Sequence, residues 1–241
     1  AMALTKSWES NYRIPSDTYP LHYDLFLHPD MNGTTFQGRV SILIDVRSPE
    51  TSSSLQRSSP LSDREEPHSS GLGLRVQANE FWVVKTKAPL SVGKYRLSLE
   101  FTGRLDNGII GFYRSSYVDA SGTKRTMVSS KFQPTYARRA FPCFDEPSFK
   151  STYSITLVKP SEESYVALSN MPVDETKPGL PSQGLTEVSF KKSVPMVTYL
   201  VVFMGFDTRF RVYGSELQLD KLEYALNVGV ILWLTISHTL G

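Results

Sequence analysis

Metal and nucleophilic chemistry begin with donor atoms, and the strongest of these are sparse here: four histidines and one cysteine among 241 residues. A zinc peptidase helix needs two imidazoles one turn apart on one face with a carboxylate beside them, the spacing H-E-x-x-H, and that spacing is absent. His22, His28, His68 and His238 are scattered. His22 and His28 fall on one face of an extended segment, but six residues of strand put them roughly 20 Å apart, too far to ligate one ion. They read as surface or turn histidines, and no metal site is expected in this chain. The lone Cys143 excludes an internal disulfide and a C-x-x-C redox pair. Bracketed by Phe141 and Phe144 and without a neighbouring histidine, it reads as a buried, inert thiol. Gly71-Leu72-Gly73 lacks the third glycine and following helix of a phosphate cradle, and there is no G-x-S-x-G elbow.

One segment differs in character. SSKFQPTYARRAFPCFDEPSFKSTYSI places Arg138, Arg139, Asp145 and Glu146 around Pro142 and Pro147, with aromatic residues between them. That mixture is expected of a constrained, semi-buried loop. Charged residues so confined satisfy loop backbone and fix its path, so the cluster reads as architecture rather than as a reacting centre.

The elements that must carry this loop follow a period of two. In FQGRVSILIDV, Phe36, Gly38, Val40, Ile42, Ile44 and Val46 point one way and Gln37, Arg39, Ser41 and Asp45 the other, with Leu43 the misfit, as a half-buried antiparallel strand requires. The alternation recurs at Leu21/Tyr23/Leu25/Leu27 and Tyr95/Leu97/Leu99/Phe101, and more briefly at Tyr153/Ile155/Leu157, Val188/Phe190 and 199–206. Turn signals such as Pro29-Asp30, Asp106-Asn107-Gly108 and Pro178-Gly179 leave no room for helices of ordinary length. The expected body is an all-β, largely antiparallel domain over residues 8–208, after a ragged start at 1–7. Residues 48–73, rich in Ser, Pro and charge, cannot bury enough to offset the entropy of ordering and read as a mobile loop. Near the other end Leu219, Leu222, Leu226, Val230 and Trp233 take a helical spacing, and Ser215 with Gln218 forms a capping box, so a helix is expected from about Glu216. Its apolar tail is too short to span a bilayer, and no transmembrane segment is expected.

A net charge of +2 from 26 Lys+Arg against 24 Asp+Glu argues against a basic nucleic-acid stripe. The first residues, AMALTKSWES, do not read as a signal peptide. Asn32-Gly33-Thr34 is an N-glycosylation sequon in a hairpin loop. It favours an extracellular or secretory-lumen location over the cytoplasm, which stays open as the alternative.

PTYARRAFPCFDEP, at 134–147, resembles the P-T-x-A-R-x-x-F-P-C-F/W-D-E-P signature of the N-terminal domain of the aminopeptidase N family of zinc aminopeptidases. RIPSDTYPLHYDLFLHPD (13–30), GFYRSSY (111–117), ALSNMP (167–172), PMVTYLVVFMGF (195–206) and LDKLEYALNVGV (219–230) extend the resemblance over roughly residues 10–230, apart from the serine-rich stretch. It implies a saddle of antiparallel sheets leaning on a thermolysin-like catalytic domain. Pro134, Thr135, Ala137, Arg138, Phe141, Pro142, Cys143, Asp145, Glu146 and Pro147 then belong to the structural motif. Gln133 occupies the position that in the family projects into the active site and holds the free α-ammonium of the peptide. An amide oxygen can accept a hydrogen bond from an ammonium and so confine cleavage to the first bond. The contact is weaker than a glutamate would give.

The resemblance also implies a parent enzyme whose zinc motif, G-x-M-E-N loop and transition-state tyrosine come later than this chain reaches, so no residue of this chain is assigned a catalytic role. Residues 209–241 read as the truncated start of the catalytic domain, diverging from about Ile231. The expected function is recognition of a peptide N-terminus within a metalloaminopeptidase, with the chain inactive alone and zinc supplied by the parent enzyme. The alternative is a non-catalytic partner or decoy that docks on another aminopeptidase chain. The serine-rich segment, standing where relatives keep strand-like sequence, is expected to leave a sheet edge unpaired.

Overall fold

The computed structural model describes residues 13–48, 50–56, 73–76, 80–105, 108–118, 122 and 124–207. Two compact units divide the chain, Ala1–Phe206 and Asp207–Gly241. The helix expected from Glu216, His68 and His238 lie outside the described residues.

The described chain is all-β, as its period-two patterning requires. Thirteen strands run in order: β1 (Thr18–Pro29), β2 (Thr35–Val46), β3 (Glu50–Gln56), β4 (Gly73–Val76), β5 (Phe81–Leu90), β6 (Gly93–Arg104), β7 (Gly111–Val118), β8 (Lys124–Lys131), β9 (Thr152–Pro160), β10 (Tyr165–Ser169), β11 (Val173–Pro178), β12 (Leu185–Phe190) and β13 (Phe203–Asp207). They form a six-stranded sheet ordered β11-β12-β9-β1-β2-β6, a four-stranded sheet β10-β13-β8-β7 and a three-stranded sheet β3-β5-β4.

Three features depart from the sequence-based expectation. The large sheet is mixed, because β9 lies parallel to β1, Tyr23 opposite Tyr153 and Leu25 opposite Ile155. Parallel neighbours need a long crossover, and here the intervening chain builds β2 and β6, the three-stranded sheet, and β7 and β8 of the four-stranded one. Secondly, β1 carries a bulge between Pro20 and His22. The extra residue, Leu21, reverses the facing of everything before it. Thr18 and Tyr23 are thus both buried, and Leu21, expected inward, is only half-buried. Thirdly, Glu50–Gln56, placed in a mobile loop by composition, is a strand paired with β5 from Ser52↔Lys85 to Gln56↔Phe81. The ladder bonds are backbone bonds, and β5, with Phe81 and Val83 fully buried, supplies an ordered edge for a serine-rich partner.

Aromatic rings connect the large sheet to the four-stranded one. Phe101 meets Phe36 at 6.3 Å between centroids, Phe36 meets Phe112 at 4.9 Å, Phe112 meets Phe203 at 4.9 Å and Phe203 meets Phe132 at 5.4 Å. The series continues through Phe141 to Tyr23 at 6.2 Å, and Tyr23 stacks on Tyr153 at 4.8 Å. Edge-to-face geometry, which most of these pairs adopt, suits the ring quadrupole. Two glycines make room for it. A Cβ on Gly38 would lie 2.3 Å from the Phe101 ring, and one on Gly103 would lie 2.3 Å from the Phe36 ring. Each glycine stands opposite the phenylalanine that covers it in the β2–β6 ladder.

Gly38→Ala should therefore cost about 1–3 kcal/mol by overpacking, seen as a lower denaturant midpoint; an unchanged midpoint would show that Phe101 moves aside freely. The buried Tyr153 hydroxyl has no hydrogen-bond partner, and a buried unpaired polar group is destabilising. Tyr153→Phe is expected to leave the thermal midpoint unchanged or raise it, and a clear fall would contradict that reading.

Candidate functional site

The loop from Phe132 to Lys150 joins β8 to β9 and turns back on itself at once. Tyr136 N–H donates to Phe132 O at 2.8 Å, residues Ala137–Arg139 form a single 3-10 turn, and Ala140 and Phe141 N–H both close on Ala137 O. The Gln133–Pro134 peptide is cis. Ala137, Phe141, Cys143 and Phe144 are fully buried, and Pro142 is buried with them. Gln133, Pro134, Thr135, Arg139 and Pro147 are exposed.

Asp145 is the centre of the loop. Its carboxylate, 1% exposed, accepts from Arg138 Nε at 2.9 Å, Arg138 N–H at 3.3 Å and the Thr198 hydroxyl at 2.6 Å. A carboxylate taken out of water must be paired and hydrogen-bonded to persist, and these bonds do that. The rest of the Arg138 guanidinium reaches Asp145 O at 3.1 Å and Glu80 Oε2 at 2.9 Å. Burial alone would lower the Arg138 pKa, but the hydrogen bonds and charge of Asp145, with Glu80 behind them, hold it above its ordinary value. Arg138 is fitted to this by its fixed fork of donors. Glu80, at the mouth of β5, sits in the left-handed region with φ 56°, a conformation that costs about 1–2 kcal/mol for a non-glycine residue.

Glu146 faces the other way. It accepts from Ile14 N–H at 2.6 Å and from Arg13 Nε at 2.8 Å, tying the loop to the chain that leads into β1. The Tyr23 hydroxyl accepts the Phe144 N–H at 3.1 Å. Burial pushes the Tyr23, Tyr153 and Cys143 pKa values well above their ordinary ranges, which leaves Cys143 a protonated thiol. Arg139 lies over the Tyr136 ring at 5.0 Å. Arg138, Asp145 and Glu146 thus act on backbone and on one another, bringing together residues 53 to 133 positions apart.

The signature residues are brought together into one loop; Gln133 stands apart from the charged cluster. Its side chain is exposed and makes no hydrogen bond to another described residue. Asn32 is exposed on the turn between β1 and β2. His22 and His28 both belong to β1 but have separate surroundings: His22 lies between Thr152 and Asp24, and His28 lines a pocket at the far end of the strand. Among the described residues no group of three or more His, Cys, Asp and Glu side chains comes together to hold a metal ion, so these residues do not fit a zinc site. No helix among them is long and apolar enough to cross a membrane. Glu80, Thr198, Tyr23 and Arg13 hold the loop, and nothing in the local sequence marks them as its partners.

Breaking a buried pair by removing one partner costs about 3–5 kcal/mol, whereas replacing both by apolar residues can be neutral. Arg138→Met should lower stability by that amount in urea unfolding, and Arg138→Met with Asp145→Leu should recover part of it. Equal losses in the single and double variants would contradict the pairing.

The peptidase M1 N-terminal domain model matches residues 19–200. Human glutamyl aminopeptidase is 36% identical over 241 aligned positions, covering 90% of this chain and 25% of the relative. Rice aminopeptidase M1-A is 38% identical over 240, covering 90% and 26%, and human endoplasmic reticulum aminopeptidase 1 is 33% identical over 242, covering 91% and 25%. The chain spans about a quarter of the length of these curated relatives. The loop signature, the all-β body and the length of the match together place this chain in the peptidase M1 N-terminal domain family.

Proposed function

We propose that this chain serves as the N-terminal domain of a zinc aminopeptidase and that Gln133 receives the α-ammonium of the peptide to be shortened. The observation that carries the reading is the contrast within one loop. Phe132 is 2% exposed and packed in the aromatic core, Asp145 is clasped beneath the loop, and the Gln133 amide next to Phe132 is exposed and bonded to no other described residue. An acceptor whose backbone is already fixed loses little further entropy on binding. Its neutral carbonyl oxygen suits a single ammonium donor and would hold the first amine of a peptide at one place, so that the first peptide bond is the one presented.

On this reading the zinc and the activated water belong to the remainder of the enzyme, and the chain alone hydrolyses nothing. Its partners are a peptide N-terminus and the catalytic domain that follows. The reading includes a secretory route, supported by the exposed Asn32-Gly33-Thr34 sequon as a glycan acceptor and by the compartment in the printed name of the human relative, endoplasmic reticulum aminopeptidase 1.

The test is made in the parent enzyme. A hydrogen bond to a charged group is worth about 1.5–3 kcal/mol, so Gln133→Ala should raise KM roughly ten- to hundred-fold while kcat stays within about threefold, the pattern of a lost binding contact. Gln133→Glu should lower KM, because a charged acceptor binds ammonium more strongly. An unchanged KM in Gln133→Ala would sink the assignment.

A further inference from the structure

At the end of β1 opposite the bulge, a pocket of about 350 Å³ opens beside the β1–β2 turn. Its floor is apolar: Met31, Phe36 and Val158 are 6%, 2% and 1% exposed. Its rim is polar, with His28, Lys159 and Asn32 around the mouth. Asn32 is both a lining residue of the pocket and the acceptor residue of the Asn32-Gly33-Thr34 sequon.

The turn that carries Asn32 is held from two sides. Asp30 Oδ1 accepts the N–H groups of Asn32 at 3.0 Å and Gly33 at 2.9 Å. Arg114, reaching across from β7, donates to Gly33 O at 2.8 Å and Asn32 O at 3.4 Å. A Cβ on Gly33 would lie 2.2 Å from Asp30 Oδ2, so a larger residue there would push aside the carboxylate that holds the turn. Anything attached to the Asn32 amide therefore starts from a fixed point on the rim.

We propose that Asn32 carries an N-linked glycan whose first N-acetylglucosamine is seated in this pocket, its acetamido methyl toward Met31 and its hydroxyls toward His28 and Lys159. The inference rests on the secretory route of the proposed function. N-acetylglucosamine matches the lining, with an apolar acetyl methyl and C–H face for the floor and hydroxyls for the rim. Burial lowers the His28 pKa, outweighing the opposing pull of Asp30 and Glu187, so at neutral pH the imidazole is uncharged and can both donate to and accept from a hydroxyl. Lys159 Nζ is engaged by Pro160 O at 3.1 Å and Glu162 O at 3.5 Å, leaving one of an ammonium's three donors. A free sugar would bind such a shallow seat poorly. Covalent attachment at the rim replaces bulk concentration with a high local one, so weak contacts suffice for occupancy.

The experiment uses the full chain secreted from eukaryotic cells. Enzymatic release of the glycan in heavy-oxygen water should mark Asn32 as a labelled aspartate, and Thr34→Ala should abolish the mark. The glycan is then trimmed to its first sugar, and nuclear Overhauser contacts are sought between the acetyl methyl and the Met31 methyl. The proposal expects that contact in folded chain marked at Asn32. An unmarked Asn32 in secreted chain would overturn the glycan itself. A marked Asn32 whose acetyl methyl touches no pocket methyl would leave the glycan standing and overturn the seat.

Discussion

Burying the Asp145 carboxylate is the constraint on which the rest of this domain turns. A charge removed from water at 1% exposure must find partners of fixed position, and Asp145 finds them in three parts of the chain: Arg138 within its own loop, Thr198 in the turn before β13 and, through Arg138, Glu80 at the mouth of β5. Each partner belongs to a different segment, so the path of the loop is fixed jointly by all of them. Glu146, the next residue, does the same for the entry to β1. Two adjacent acids thus tie one loop to three other stretches of chain.

The aromatic core supplies what the charges cannot. Polar clasps specify position but contribute little net stability, whereas Phe36, Phe112, Phe132, Phe141 and Phe203 are each at or below 2% exposure. Phe132 and Phe141 lie at either end of the loop's tight turn and pack on each other at 6.0 Å. The turn between them is anchored by apolar burial and steered by charge. Gln133 follows directly on Phe132, which fixes its backbone while leaving its side chain in solvent. That division of labour puts an exposed amide, bonded to no other described residue, on a base packed into the core, and the functional reading rests on it.

Much of this was legible in the residues. The alternation in 36–46 and 95–101 is the alternation of buried and exposed side chains in β2 and β6, because a half-buried strand writes its facing directly into its sequence. The confinement of Arg138, Asp145 and Glu146 between prolines was visible too. Their partners were not, since Glu80, Thr198 and Arg13 lie 58, 53 and 133 residues from the groups they bind and long-range pairing leaves no local periodicity. The insertion of β9 beside β1 was hidden for the same reason. The Leu21 bulge was hidden by a hydrophobic residue that continued the pattern after its phase had changed. Glu50–Gln56 reads as loop by composition because its strand state comes from the edge of β5 rather than from its own residues.

The central claim is that a buried charge cluster makes the 132–150 loop as rigid as the strands it joins. Amide hydrogen exchange measures this directly, because it separates local opening from global unfolding. The account predicts that the N–H groups of Ala140, Phe141 and Phe144 exchange only with global unfolding, at the same free energy as the amides of β8 and β9. Exchange of those loop amides through a local opening of low free energy, independent of denaturant while the strands stay protected, would contradict it.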